Sequence, residues 1–227
     1  MVAFLDWLNT WYKKLTSSSF KDLEIDPSKT VLISVDMIVG FCHEGPLASK
    51  EVVSIIPNLV STFNKSYKFG IKHFLLLQDT HSENAVEFAA YPPHCIKGTK
   101  ESETIPELKN LPFSNLFTII EKNSLSPAFS DSFLKWMKAH SEVENFIIVG
   151  NCTDLCVHTV AMHLRLEANA RDLKRRVIVV ADSVATYNMP VEAAQKVGAL
   201  PHDSNLLHKL FLYHMKLNGV EVVKEIE

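Results

Sequence analysis

Residues 31–36 read Val31-Leu-Ile-Ser-Val-Asp36, a short apolar run that ends at an acidic side chain. Such a run is typical of a buried strand in a parallel sheet. Similar runs predict further strands at 72–79, 116–121, 145–150, 176–181 and, at a sheet edge, 220–223. Helical patterns lie between them, at 52–69, 131–140, 155–168, 191–199 and 205–217. This alternation predicts an α/β fold, with three layers (αβα) around a mostly parallel sheet of about six strands.

The composition excludes several classes of protein. The chain has 227 residues, of which 47% are hydrophobic, so global disorder is excluded. With 23 Lys and Arg against 26 Asp and Glu, the net charge of -3 predicts neither nucleic-acid nor anionic-membrane binding. No apolar run approaches the roughly 18 residues that span a bilayer. Four cysteines are too few for a disulfide-stapled secreted scaffold.

The N-terminal segment predicts an amphipathic helix followed by a linker. Apolar side chains recur there at helical spacing, at Phe4, Leu8, Trp11 and Leu15. The preferred interpretation is a helix docked on the protein, and the alternative is a membrane-surface or partner-binding helix. We therefore expect a helix and linker at 1–28 and a single α/β domain at 29–227. Positive charge follows the apolar residues, unlike in a secretory signal, so the expected location is the cytoplasm.

Reactive side chains follow the predicted strands. In open parallel sheets, ligands bind beyond the carboxyl ends of the strands. The residues at those ends are Asp36, then Asp79 and His81, then Lys122, then the segment 151–156, and then Asp182. Each acidic residue alone is equally typical of a helix N-cap or a turn. Their convergence at one edge nevertheless predicts an active site.

Cys156 is the candidate nucleophile. We expect it near the N-terminus of a helix, where the helix dipole favours the thiolate. Asp36 would accept its proton, and Lys122 would stabilise the anion. The alternative is an inert cysteine on an apolar helix face, beside Val157 and Val160.

A second group of polar residues suggests a metal site. Asp79, His81, Glu87 and His94 form a mixed oxygen and nitrogen donor set, which suits Zn²⁺, Fe²⁺ or Mn²⁺. Coordination positions left to substrate would make such a site catalytic. Because the chain has 10 histidines, the alternative is that these are ordinary loop residues.

Together these residues resemble a known family. The matching motifs are Val35-Asp36-Met37 with Phe41, Gln78-Asp79-Thr80-His81, Tyr91-Pro-Pro-His94-Cys-Ile-Lys-Gly98-Thr99, Glu121-Lys122 with Ala128-Phe129, and Gly150-Asn-Cys-Thr-Asp-Leu-Cys156. Over Val31 to about Ala185, the chain resembles the isochorismatase-like cysteine hydrolases and, within them, the nicotinamidases. The stretch around His94 is the more specific signal, since metal-free members of the superfamily generally lack it.

The resemblance implies a catalytic mechanism. Cys156 would attack a carboxamide carbon, Asp36 would act as the base, and Lys122 would be the positively charged third member. A thioester would form and then be opened by water. The family has a cis peptide bond four residues before the nucleophile, here Asn151–Cys152. The backbone N–H groups of Cys152 and Cys156 would then form the oxyanion hole.

The resemblance also implies a metal site and a substrate. Asp79, His81 and His94 match ligands of one divalent metal ion, which is expected to be zinc, with iron or manganese as alternatives. Glu87 would be the fourth ligand. Phe41 and Tyr91 match aromatic positions that sandwich the substrate ring, although simple core packing is the alternative for both.

The expected substrate is a small aromatic amide, nicotinamide in the first instance, and the expected assembly is a homo-oligomer. The sequence departs from the family pattern at 41–45, where a paired glycine is missing, and at Asn151 and Cys152. These departures affect the substrate rather than the reaction class. The alternatives are a metal-independent hydrolase of another small amide, carbamoyl compound or vinyl ether, and a non-catalytic binding protein on the same fold.

Overall fold

The computed structural model describes residues 2–227, and its central feature is one sheet of six parallel strands. The strands are β1 (Thr30–Val35), β2 (His73–Asp79), β3 (Phe117–Lys122), β4 (Asn145–Asn151), β5 (Arg176–Ala185) and β6 (Glu221–Val223). They are arranged in the order β3-β2-β1-β4-β5-β6, and each neighbouring pair is parallel. This arrangement confirms the predicted α/β fold and its number of strands.

Helices cover both faces of the sheet. In the described part of the chain they are α1 (Val2–Lys13), α2 (Val39–Cys42), α3 (Lys50–Ser54), α4 (Ile56–Phe69), α5 (Pro106–Lys109), α6 (Asp131–Ala139), α7 (Cys156–Ala170), α8 (Val191–Val197) and α9 (Ser204–Leu217). Leu32 of β1 packs in a core with residues of α4, whereas its neighbour Ile33 packs on the other face with residues of α7. All six residues of β1 are buried, because layers lie on both sides of it.

The elements differ from the predicted ones in three main respects. The predicted helix at 52–69 is divided into α3 and α4, which meet at Ile55 just before Pro57 in the first turn of α4. Strand β3 lies at an edge, and Ile119 is 54% exposed. Strand β5 continues to Ala185 through a register shift against β4, so Asp182 lies within the strand and not after it.

The N-terminal helix α1 packs against α9. The rings of Phe4, Trp7 and Trp11 surround Tyr213 of α9, with centroid distances of 5.6, 5.4 and 6.0 Å. After α1, Ser18 pairs in parallel with Ile226 next to the C-terminus. Among residues 2–227, no helix combines the length and apolar content needed to cross a membrane.

Candidate active site

The carboxyl ends of β1, β2 and β4 meet at Asp36. Its backbone N–H donates to the carbonyl of Leu77 at 2.8 Å, and its Oδ1 accepts from the N–H of Asp79 at 2.7 Å. From β4, the Asn151 amide donates to the carbonyl of Asp36 at 2.6 Å. These contacts are possible because β1 lies between β2 and β4 in the sheet. Strand β3, which comes between β2 and β4 in sequence, lies at the outer side of β2 and does not separate them.

The three predicted catalytic residues come together in the core. Lys122 Nζ lies 2.8 Å from Asp36 Oδ2 and 3.7 Å from Cys156 Sγ. An Asp36 carboxylate oxygen lies within 4.8 Å of the same sulfur. Lys122 Nζ also lies 2.5 Å from Asp79 Oδ1, so the lysine joins this trio to the predicted metal ligands.

Burial and charge together set the protonation of the trio. Burial opposes the charge of Lys122, but the carboxylates of Asp36 and Asp79 prevail and hold its pKa well above the usual value. Burial, assisted by the charge of Asp79, raises the pKa of Asp36 to about 6. Burial also raises the pKa of the Cys156 thiol well above its usual value, and Lys122 offsets only part of this effect.

The thiol of Cys156 is therefore protonated at neutral pH. This differs from the thiolate expected from its position at the first residue of α7, because burial of the sulfur outweighs the helix dipole. A nucleophile in this state needs a neighbouring base, and Asp36 is the carboxylate within reach.

The turn before α7 carries backbone donors that have no hydrogen-bond partner within residues 2–227. The Asn151–Cys152 peptide bond is cis, as the resemblance implied. In this turn the N–H groups of Thr153, Leu155 and Val157 donate to backbone carbonyls. Those of Cys152, Asp154 and Cys156 make no hydrogen bond within residues 2–227, and of these Cys152 and Cys156 are the pair that the resemblance implied. They are available to an oxyanion, and their role as an oxyanion hole stays a prediction.

Three of the four predicted metal ligands form a buried cluster. Asp79, His81 and His94 each offer a ligand atom, and these atoms lie within 4.8 Å of one another. His81 Nδ1 lies 3.1 Å from Asn123 Oδ1, and His94 Nδ1 lies 2.8 Å from the carbonyl of Pro92.

These contacts favour ligation through Nε2. Both acceptors are carbonyl oxygens, so each histidine donates from Nδ1–H and keeps the Nε2 lone pair free. His81 Nε2 is buried and has no hydrogen-bond partner in the described part of the chain. A mixed set of one carboxylate and two imidazoles fits zinc, iron or manganese.

Glu87 lies outside this cluster of three. Its Oε1 is nevertheless buried and has no hydrogen-bond partner within residues 2–227. Burial acts to lower the pKa of both His81 and His94, and the negative charge of Glu87 opposes this effect at both. Its assignment as the fourth ligand stays a prediction.

The two predicted substrate-binding rings lie beside the cluster. The ring centroids of Phe41 and Tyr91 lie 5.6 and 6.2 Å from that of His94. Phe41 is buried and Tyr91 is half-buried. Both rings are therefore placed next to the histidine end of the site, and their contact with substrate stays a prediction.

Comparison with known proteins identifies the family of this chain. Residues 30–222 match the family described as the Isochorismatase domain. The chain belongs to the isochorismatase family. It is 30% identical to nicotinamidase 1 of Arabidopsis thaliana over 217 residues, covering 88% of this chain and 87% of that protein.

Solved structures of other hydrolases share the fold. A cysteine hydrolase from Pseudomonas syringae superposes with a TM-score of 0.71 at 19% identity, covering 92% of each chain. A pyrazinamidase of Pyrococcus horikoshii in complex with zinc superposes with a TM-score of 0.65 at 24% identity, covering 86% of this chain and 99% of that one.

Sequence patterns missed several residues of this isochorismatase-family site. Phe88 packs on both His81 and His94, at 5.4 and 5.6 Å between ring centroids, but one aromatic residue in a loop produces no periodic signal. Asn123 was detectable only as a polar residue next to Lys122. Tyr187 follows β5 with its backbone near the Cys152 thiol, and it was missed because the predicted strand ended four residues before Ala185.

Proposed function

We propose that this member of the isochorismatase family is a metal-dependent cysteine amidohydrolase that converts nicotinamide to nicotinate and ammonia. The observation that carries the proposal is Lys122, which contacts Asp36 of the catalytic trio and Asp79 of the donor cluster at 2.8 and 2.5 Å. The two groups of residues thus form one site. The similarity to nicotinamidase 1 of Arabidopsis thaliana supports an aromatic amide as substrate.

Acylation begins with the thiol. Asp36 accepts the proton of Cys156, and the sulfur adds to the carboxamide carbon. The charge of Lys122 stabilises the sulfur anion as it forms. A base with a pKa of about 6 can both accept this proton and return it near neutral pH. Asp36 gives the proton to the amide nitrogen, the C–N bond breaks, and ammonia leaves a thioester on Cys156.

The unused N–H groups of Cys152 and Cys156 would receive the oxyanion of the tetrahedral intermediate. Loss of one such donor costs on the order of 3 kcal/mol in other enzymes. In the second half of the reaction, Asp36 takes a proton from water, and the water oxygen bonds to the thioester carbon. The C–S bond then breaks, Cys156 regains a proton, and nicotinate leaves.

Asp79, His81 and His94 would hold the metal ion, which we propose to be zinc, with Glu87 as the fourth ligand. When bound, the ion supplies a Lewis acid for the pyridine nitrogen and so orients the ring. Phe41 and Tyr91 would contact the two faces of that ring. The donor set supports iron or manganese as alternatives.

The test measures ammonia and nicotinate released from nicotinamide. We expect Cys156→Ala to lose activity by about 10³-fold or more, because the nucleophile is removed. Cys42→Ala is the matched control, since Cys42 is also a buried free thiol but belongs neither to the proposed catalytic trio nor to the donor cluster. Activity that survives in Cys156→Ala would remove the proposed mechanism.

Metal analysis of the same preparations separates the two enzymatic candidates. We expect bound zinc, loss of activity on chelation, and recovery when zinc is added. Full turnover by metal-free protein would favour the metal-independent hydrolase. A homo-oligomer and a cytoplasmic location stay predictions, the first of which sedimentation equilibrium measures directly.

A further inference from the structure

A chain of hydrogen bonds connects the N-terminal helix to the turn before Cys156. Tyr12 Oη of α1 lies 3.2 Å from Nε2 of His208 on α9. Nδ1 of the same ring lies 2.9 Å from Oγ1 of Thr153. Thr153 is completely buried, and it lies between Cys152 and Cys156, whose N–H groups have no partner within residues 2–227.

His208 is a neutral link in this chain. Burial lowers its pKa to about 4, so at neutral pH the ring carries a single N–H. One ring nitrogen then donates and the other accepts, and the hydroxyls of Tyr12 and Thr153 can serve either role. If one hydroxyl is removed, a ring nitrogen loses its partner, and the bond on the other side loses its fixed direction.

Thr153 is held from two sides. Its backbone N–H donates to the carbonyl of Ala185 at the end of β5, at 2.9 Å. Its side chain is held by His208. The backbone contact ties the turn to the end of β5, and the side-chain contact ties it to α9.

The helix that carries Tyr12 is itself well anchored. Besides the aromatic contacts with Tyr213, Lys209 Nζ donates to Asn9 Oδ1 at 2.8 Å. Lys209 also lies over the Tyr12 ring, 5.6 Å from its centroid, and the ring meets His208 edge-on at 5.5 Å. The hydroxyl of Tyr12 is therefore presented to His208 from a fixed position.

We propose that Tyr12 is a positioning residue of the active site, which holds the turn of Cys152 and Cys156 in place through His208 and Thr153. The catalytic part of this inference rests on the proposed function, since it assumes that the two N–H groups receive an oxyanion. The N-terminal helix is then a component of the site rather than an appendage to the domain.

The test compares Tyr12→Phe with Tyr213→Phe. Both substitutions remove one hydroxyl from the interface between α1 and α9, but Tyr213 is not part of the hydrogen-bond chain. We expect Tyr12→Phe to lower kcat on nicotinamide by about tenfold and to leave KM within about twofold of the wild-type value. This loss is smaller than that caused by removing an oxyanion donor, because the donors remain and only their position is loosened. Tyr213→Phe should leave both constants unchanged.

Two further measurements make the test decisive. Thr153→Val should lower kcat in the same way, and adding Tyr12→Phe to it should cause no further loss, because the two residues act through one chain. Amide hydrogen exchange of the peptide 151–157 should accelerate in Tyr12→Phe and not in Tyr213→Phe. This measurement needs no turnover.

Unchanged exchange in Tyr12→Phe, or equal acceleration in both variants, would overturn the positioning role. Additive losses in the double variant would do the same. If the wild-type protein releases no ammonia from nicotinamide, the proposed function fails, and the exchange experiment still decides whether Tyr12 holds the turn.

Discussion

The two hydrogen-bond partners of His202 favour the protonated form of its imidazole. Its Nδ1 lies 2.8 Å from the carbonyl of Tyr187, and its Nε2 lies 2.7 Å from Asp154 Oδ2. Neither oxygen carries a proton, so both ring nitrogens must donate and the imidazole is cationic. Burial opposes this charge, but the interactions with Asp154 prevail and raise the pKa of His202. Burial likewise opposes the charge of Asp154, but its partners lower its pKa overall.

A pH-dependent stability follows for this pair. The contribution of His202 is complete below its unfolded pKa of about 6.5 and is lost as pH rises through its raised folded pKa. That of Asp154 is complete above about pH 3.9 and is lost as pH falls through its lowered folded pKa. His202→Gln should therefore cost most, about 2 kcal/mol of unfolding free energy, between these limits.

Urea unfolding of wild type and His202→Gln at several pH values between 5 and 9 measures this difference. The matched control is His163→Gln, because burial lowers the pKa of His163 and its effect has the opposite sign. The difference in unfolding free energy between wild type and His163→Gln should become smaller as pH falls. If the difference in unfolding free energy between wild type and His202→Gln is the same at every pH from 5 to 9, His202 and Asp154 do not form a charged pair.

At the scale of elements, the end of β4 depends on close approach to β1. Gly150 has φ of +115°, and a Cβ on it would lie 2.1 Å from the carbonyl oxygen of Val35. The approach brings Asn151 within reach of Asp36. A side chain at this position would push the ends of β1 and β4 apart next to Asp36, the proposed base.

Gly150→Ala should destabilise the protein by about 4 kcal/mol or more, because strain and overlap act together. Gly198→Ala is the matched control. Gly198 has φ of +69° but no atom within 4 Å of the added Cβ, so we expect a cost of about 1 kcal/mol. Urea denaturation measures both, and failure of the first variant to fold is within expectation. Similar costs for the two variants would refute the close approach.

At the scale of the whole molecule, a metal ion that binds only the folded state should stabilise all of it. Zinc added to chelated protein should raise Tm, by an amount that grows with the zinc concentration relative to Kd. Asn123→Leu should weaken zinc binding about 10- to 100-fold, because Asn123 Oδ1 accepts from His81 Nδ1. Asn123→Asp keeps an acceptor and should retain most of the shift.

Thermal melts with and without zinc check this prediction. The control is His158→Ala, since His158 and His214 form a surface pair 3.0 Å apart that could also attract zinc. This variant should keep the full shift in Tm. A shift that disappears in His158→Ala and persists in Asn123→Leu would place the metal at the surface pair.

Local pattern predicted the sheet well. The run predicted at 31–36 overlaps β1 (Thr30–Val35), in which all six residues are buried. Helices lie between most of the strands in sequence, and all the neighbouring strands are parallel. The pattern was weaker where neighbours matter: Ile119 looked like a core residue but lies at an edge, and β5 runs past Asp182 through its register shift. Periodicity reports which residues are apolar, but not which strand has a neighbour.

The amino-acid order was sufficient for the α/β fold and for the edge at which Asp36, Lys122 and Cys156 meet, because strand patterns are local in the chain. The cis bond before Cys152 was expected only through the family resemblance that the motifs carry. Folding in three dimensions decided the protonated state of the thiol, the free Nε2 of His81 and the contact of Tyr12 with His208, which are 196 residues apart. Desolvation and hydrogen bonding depend on what surrounds an atom, and those surroundings come from segments far apart in the sequence.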